Sequence, residues 1–410
     1  MSRIRIKNFG PIKEGYLDND GWIEIDKITV FIGNQGSGKS TIAKLISTFT
    51  WIEKALVRGD YDNKWFSRKN KLKNQFLNYH RLENYLIKKN GKTISEIEYE
   101  GEAYHITFKD DILTTNEVNK GTYQLPQIMY VPAERNFISY VKSPKELKLS
   151  SDSLKEFLTE FDNAKDSIKG SINLPINNVE LEYDKLNDIL NIKGSDFKVR
   201  ITESSSGFQS LVPLFIVSQY LAEGIKKRTE SNLDSMTSDE LERFKESIAE
   251  IYSNIHLTGE QRRAAVSALS SRFNKTCFIN IVEEPEQNLF PTSQNDMLNS
   301  LLEFNNYNED NKLVITTHSP YLINHLSLAV KAGSILDNTK VKKEEVSSII
   351  PAHSVISRNS LVIYELNETT GKISKLDNYN GLPSDENFLN LEIEDNNDLF
   401  ARLLELQQKV

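Results

Sequence analysis

ITVFIGNQGSGKSTIAKLI, Ile28 to Ile46, sets an apolar strand-like run, a glycine-rich turn and a helical pattern end to end. The helix is expected over about 39–52, because Ile42, Leu45, Ile46 and Phe49 fall on one face at a 3.6-residue period. The turn between them, GNQGSGKST at Gly33–Thr41 (Gly33, Asn34, Gln35, Gly36, Ser37, Gly38, Lys39, Ser40, Thr41), fits G-x-x-x-x-G-K-[ST] in the strand-then-helix setting the motif needs. Glycines let successive backbone N–H groups turn inward around a phosphate, and the helix N-terminus adds partial positive charge. Lys39 is then placed to neutralise β- and γ-phosphates, and Ser40 to offer its hydroxyl to Mg²⁺. The plain alternative, a glycine-rich turn with no ligand, explains the glycines but not the Lys–Ser that follows them.

Working outward, three further stretches carry chemistry. CFINIV, Cys277–Val282, is a continuous apolar run of the kind that forms a covered central strand, and it ends in Glu283–Glu284–Pro285–Glu286. Carboxylates at the end of a buried strand are costly unless they meet a cation or take up a proton. Glu283 is therefore the expected metal ligand and Glu284 the group that orients or deprotonates water; alone, the same residues would read as an acidic loop. LVITTH, Leu313–His318, is a second buried strand with a polar tip ahead of the helix-starting Ser319–Pro320, and a neutral His318 there could donate to a γ-phosphate. Glu203-Ser-Ser-Ser-Gly-Phe-Gln-Ser210 opens a helix after a strand hairpin, so Ser205 and Gly207 sit where an anion site forms, or where a serine merely caps a helix.

The rest of the chain frames these motifs. With 410 residues, 38% hydrophobic and 26% charged, it has material for one large composite domain or two lobes. Cys277 is the one cysteine, so no intramolecular disulfide is possible, and MSRIRIKNFG lacks the apolar stretch of a signal peptide, which together point to the cytoplasm. No window approaches the roughly 20 apolar residues of a membrane span. A formal charge of −8 argues against coating DNA as the main activity. Six scattered His and one Cys give no zinc spacing. Residues 143–170, from Pro144, and 226–262 read as helical, with antiparallel strands between. Lys64-Trp-Phe-Ser-Arg-Lys-Asn-Lys-Leu-Lys73 reads either as a nucleic-acid track with rings for stacking or as a solvated face with its aromatics in the core. The same ambiguity holds for Lys226–Lys227–Arg228 and Arg262–Arg263. Leu399, Phe400, Leu403, Leu404 and Leu406 mark an amphipathic helix that docks on a partner or on its own domain.

Phosphate loop, Ser/Gly turn, carboxylate strand and histidine, in that order, resemble the ATP-binding cassette (ABC) ATPases. IRIKNFGPIKEG, YVPAERN, SSGFQS, EEPEQNLFP and TTHSP look like the RecF/SMC-related group often called AAA15 or AAA21. That group includes the ATPase halves of OLD nucleases and the ATPase subunits of antiphage systems such as Septu, Gabija and PARIS. The resemblance covers about residues 1–330. It implies a Walker A site at Gly33–Thr41, Walker B positions at Glu283 and Glu284 with Glu284 as base, a signature loop with Ser205 and Gly207, and a switch histidine at His318. The implied unit is a head-to-tail homodimer or higher homo-oligomer with ATP and Mg²⁺ at the interface. Departures from the pattern include Glu283 for the commoner Asp, Phe208 within the signature loop, Phe290 where His is frequent, and no Q-loop glutamine. Glu134, Arg135 and Asn136 occupy that last region, with Arg135 expected near phosphate. After His318 no Asp-x-Asp of a TOPRIM nuclease follows.

These readings give an α/β chain: an ABC-type P-loop ATPase head with mixed central sheet, antiparallel β-subdomain and helical signature-loop lobe. The expected divisions are 1–142, an N-terminal ATPase lobe; 143–262, the helical lobe; 263–335, a C-terminal ATPase lobe; and 336–410, a strand/helix extension. The expected function is a slow ATPase acting as a dimeric switch over a separate effector, a nuclease or toxin, in antiphage defence. A RecF-like DNA-binding repair ATPase is the alternative, so nucleic acid is a possible partner and a membrane is not. A transporter energy subunit is the weakest reading.

Overall fold

The computed structural model describes residues 2–408 except 62, 119–122, 142–146, 232–237, 255–257, 259–260, 263–264, 267–268, 270–274 and 338–341. A seven-stranded mixed sheet runs in the order Pro126–Val131, Cys277–Glu283, Lys312–Thr317, Ile28–Gly33, Leu361–Leu366, Lys372–Lys375, Gly15–Tyr16. The first five of these strands are parallel to one another. Every residue of Cys277–Glu283 and of Ile28–Gly33 is buried, as a strand covered on both faces requires.

Alternation along these strands divides the core in two. Val30, Ile32, Phe278, Val282, Leu313 and Ile315 face one way and meet the helices Asp152–Ser167, Ser206–Ser231 and Pro291–Asn306. Phe31, Ile279, Ile281 and Val314 face the other way and meet the helix Lys39–Arg58, which is sandwiched beneath a five-stranded antiparallel sheet. Each such buried side chain contributes about 1.5–3 kcal/mol. Glu53 locks that helix to the antiparallel sheet: its carboxylate accepts from the N–H groups of Ala103 and Tyr104 at 2.7 and 3.1 Å and from the Tyr99 hydroxyl at 3.2 Å. A Cβ on Gly101 would sit 2.1 Å from the same carboxylate, so glycine is what admits it.

The α/β class, the mixed sheet and the antiparallel subdomain are as the sequence predicts, with two corrections. The helix expected from Pro144 spans Asp152–Ser167, because the Ser151 hydroxyl accepts from Leu154 N–H at 3.3 Å and caps it there; Pro144 itself lies outside the described residues. The antiparallel strands expected within 143–262 form a four-stranded sheet, Ser171–Asn173 to Lys198–Arg200. The division at 335 cuts a continuous sheet, since Leu361–Leu366 pairs in parallel with Ile28–Gly33 and so belongs to the core. The helix Phe388–Gln407 is capped by Asn387, and all its residues from Leu391 onward are exposed, so it does not dock on its own domain as one reading allowed. No described helix is long and apolar enough to cross a membrane.

Candidate functional site

Five parallel strands end side by side: four deliver segments singled out above, Ala133–Arg135, Glu283–Glu284, His318 and Gly33–Thr41, and the last leads to Glu368. The carboxyl edge of a parallel sheet is where α/β folds bind ligands, because loops diverge there and helix N-termini point inward.

The glycine loop is shaped by its neighbours. Gly38 caps the helix Lys39–Arg58 with φ at +107°, a left-handed conformation that glycine takes freely. Gly33, at φ +141°, passes so close to the next strand that a Cβ would lie 2.3 Å from the Leu366 carbonyl oxygen. Gly33→Ala is therefore expected to lower stability by at least about 1–3 kcal/mol and to weaken nucleotide binding with it; a urea midpoint and a nucleotide titration on the same protein check both.

Lys39 Nζ donates to the carbonyls of Gly33 and Asn34, both at 2.8 Å, which holds the ammonium inside the loop it would share with phosphate. Burial pulls its pKa down to about 8, against the opposing pull of Glu284, Glu286, Glu368 and Glu283. Added negative charge from a phosphate would favour the ammonium form. Asn34 Nδ2 donates to Glu368 Oε1 at 3.1 Å, while the Asn34 Oδ1 accepts the Gln35 N–H at 2.7 Å. Ser40 is half-buried in the first turn, and Thr41 beneath it is buried. The buried Ser37 hydroxyl has no hydrogen-bond partner.

Opposite the loop, Glu283 is buried; its Oε2 accepts from the Ala133 N–H at 3.3 Å and its Oε1 has no partner. An orphaned buried carboxylate oxygen beside Ser40's loop fits a hard cation such as Mg²⁺. Among the described residues no three His, Cys, Asp or Glu side chains form a metal cage. That suits an ion that takes one or two protein ligands and the rest from phosphate and water.

Glu284 adopts φ +44°, and its N–H is tied to the Thr316 carbonyl at 2.9 Å. Burial first, and the neighbouring Glu283 second, raise its pKa, which suits a proton acceptor. His318 Nε2 lies 3.6 Å from Glu284 Oε1. Burial and Lys39 lower the His318 pKa and favour the neutral ring.

Two residues organise this edge without having been assigned a role from sequence. Glu286 Oε1 accepts from the Thr317 hydroxyl and from the His318 N–H, both at 2.8 Å, and so fixes the histidine strand's tip to the carboxylate turn. Glu368 comes from a hairpin turn, Asn367–Gly371, whose sequence reads only as a turn; its approach to the loop follows from a strand pairing 330 residues distant in sequence.

Arg135 stands corrected as a phosphate contact. Its guanidinium is fully buried and donates to the carbonyls of Ser210, Pro132, Glu283 and Glu284 at 3.0, 3.3, 2.7 and 2.6 Å. It lies under the carboxylate turn and ties that turn to the start of the helix Ser206–Ser231; Glu134 is the exposed side chain of the segment.

The Ser/Gly turn lies at that helix start. Ser205 is exposed, and a Cβ on Gly207 would come within 3.0 Å of the Asn288 carbonyl oxygen. Asn288 Nδ2 also donates to the Ser210 hydroxyl at 2.9 Å, so the turn is seated against the segment following Glu286. Among the described residues, no hydrogen bond or ion pair joins Ser204–Gln209 to the glycine loop of the same chain.

In the basic stretch, Phe66 is buried, whereas Trp65 is half-buried and stacks on the exposed Tyr61 with ring centroids 3.9 Å apart. Arg263 and the side chain of Arg228 lie outside the described residues.

No family model and no curated protein matches this chain. It is similar to solved structures, among them the SMC head domain from Thermotoga maritima, at 11% identity and TM-score 0.34 over 92% of this chain and 98% of that one. A Smc head domain with an extended coiled coil, bound to the C-terminal domain of ScpA from Pyrococcus furiosus, gives 12%, 0.36, 92% and 97%. A dimeric ATP-binding cassette in a post-hydrolysis state with ADP and Pi gives 11%, 0.27, 92% and 100%. At these values the reading below rests on the site itself.

Proposed function

We propose that this protein is an ATPase that works as a head-to-tail pair. The convergence of the glycine loop, Glu283, Glu284 and His318 on the ends of adjacent parallel strands carries the reading. The loop's N–H groups and Lys39 hold the β- and γ-phosphates of ATP. Ser40 and Glu283 hold Mg²⁺, which when bound neutralises charge on the phosphates. Glu284 takes a proton from water as the water oxygen bonds to the γ-phosphorus and the bond to the β-phosphate oxygen breaks, leaving ADP and phosphate. The neutral His318 donates toward the γ-phosphate, and Glu286 keeps it in place.

Ser205 and Gly207 supply an anion-binding helix start that, among the described residues, no hydrogen bond or ion pair joins to its own glycine loop, and a second copy would complete each site. ATP binding then closes the pair and hydrolysis releases it, a switch driven by loss of a shared γ-phosphate. The setting, control of a separate nuclease or toxin effector in cytoplasmic antiphage defence, rests on the sequence resemblance.

Mixing tests the pairing. Lys39→Ala and Ser205→Arg proteins are each expected to lack ATPase activity, while an equal mixture recovers part of it, because a mixed pair contains one intact loop facing one intact Ser/Gly turn. Failure of the mixture in a sample whose mixed pairs are shown by mass spectrometry would remove the head-to-tail arrangement.

A further inference from the structure

Behind the helix Lys39–Arg58, away from its loop, lies a cavity of about 350 Å³ closed on one side by the helix Asp152–Ser167. Ser47, Thr48 and Trp51 line it from the first helix. Ser47 is eight residues past Lys39, about 12 Å along the axis, so the cavity is separate from the phosphate loop. Its size falls within the roughly 300–1,000 Å³ of small-molecule sites.

The chemistry of the lining is specific. Trp51 and Phe76 form one aromatic wall, with centroids 5.6 Å apart, and the Tyr61–Trp65 stack forms another. At the polar edge His80 is buried with no partner for Nδ1, and burial, helped by Lys44, brings its pKa down to about 3, so the ring is neutral. The Glu156 carboxylate, exposed at the rim, accepts from the Tyr79 hydroxyl. Lys71 Nζ lies 3.7 Å from the centre of the Trp65 ring. Tyr61 and Lys71 cover the two faces of Trp65, so a flat ring with polar edges satisfies the rest of the lining: one face lies on the Trp51–Phe76 wall, and its N–H and carbonyl or ring-nitrogen groups reach His80 and Glu156. An aliphatic chain would leave the His80 Nδ1 buried and unpaired, and a bare phosphate would face Glu156.

We propose that this cavity is a nucleobase-binding site, distinct from the glycine loop, that takes a purine or pyrimidine ring against the Trp51–Phe76 wall. Its base comes from a free nucleoside or nucleotide, or from an unstacked base of a single strand. The site also reaches toward the carboxylate edge: the His80 ring meets Tyr130 edge-on at 4.7 Å, and Tyr130 lies on the strand beside Glu283.

The test uses the full chain, with two of its three tryptophans, Trp51 and Trp65, as reporters. Adenosine, guanosine, cytidine and thymidine, and ten-nucleotide single strands of dA and dT, are titrated separately by fluorescence and calorimetry. At least one probe is expected to quench and bind more tightly than about 1 mM. Ser47→Leu, which fills the cavity from its wall, and Trp51→Ala, which removes a stacking face, are each expected to weaken that binding roughly tenfold or more. Either variant showing the wild-type thermal unfolding profile is sufficient for the comparison. Binding by nucleosides assigns the free ligand, and binding by strands alone assigns the strand. No binding tighter than about 1 mM, or binding indifferent to both variants, overturns the proposal.

Discussion

Glu284→Gln protein is expected to bind ATP, to turn it over at least about 10²–10⁴-fold more slowly than wild type, and to sediment as a dimer while ATP remains. Glutamine keeps the length and hydrogen-bonding reach of the side chain and removes its basicity, so binding by Lys39 and the loop is left intact. The bound γ-phosphate then continues to join the two copies. The pH profile gives a second readout. Because burial and Glu283 raise the Glu284 pKa, the carboxyl stays protonated, and idle as a base, at pH values where an ordinary carboxylate of pKa about 4.3 is ionised. The wild-type single-turnover rate should therefore climb with pH along a limb displaced above that value, and the variant should lack the limb. His318 is shifted the other way, by burial and Lys39, toward its neutral ring. Wild-type turnover in the variant would remove Glu284 as the base, and a monomer with bound ATP would remove the trapped pair. Purified with ATP from its native host, the same variant should bring down a stoichiometric nuclease or toxin; DNA with no protein partner would favour the repair reading.

The parts of this site that were legible in the sequence are those whose chemistry is local. Gly33–Thr41 declares itself because one short segment supplies turn, cation and hydroxyl. Glu283 and Glu284 do so because a seven-residue buried strand ends on them. Long-range pairing hid the rest. Glu368 approaches the glycine loop because Leu361–Leu366 inserts beside Ile28–Gly33, and nothing in a turn of Asn, Glu, Thr and Gly announces that neighbour. The resemblance places Arg135 near phosphate because it stands in the region of the missing Q-loop glutamine; the backbone carbonyls it meets come from three separate segments. The exposed C-terminal helix shows the reverse limit: its apolar pattern predicts a covered face, and among the described residues nothing buries it.

Arg135→Met is the second large effect expected, and it separates structural from electrostatic support of the site. Arg135 heads the large side chains buried completely, and its four hydrogen bonds satisfy carbonyls at Pro132, Ser210, Glu283 and Glu284. Methionine retains most of the volume and none of the donors. It also removes the buried cation that opposes the raised pKa of Glu284. Breaking such an arrangement from one side costs about 3–5 kcal/mol, because the remaining partners stay buried without compensation. The urea midpoint at pH 7 should fall accordingly. The sign of the pH dependence follows from linkage: with the guanidinium gone, folded-state carboxyl pKa values at Glu284 and Glu286 rise further above their unfolded values, so the folded variant holds protons more tightly than the unfolded chain. Stability present below the unfolded pKa is then lost as pH rises through the folded one, and the penalty relative to wild type should shrink between pH 7 and pH 5. A penalty equal at both values would mean that the hydrogen bonds, and not the charge of Arg135, hold the carboxylate turn; a wild-type midpoint would mean that neither does.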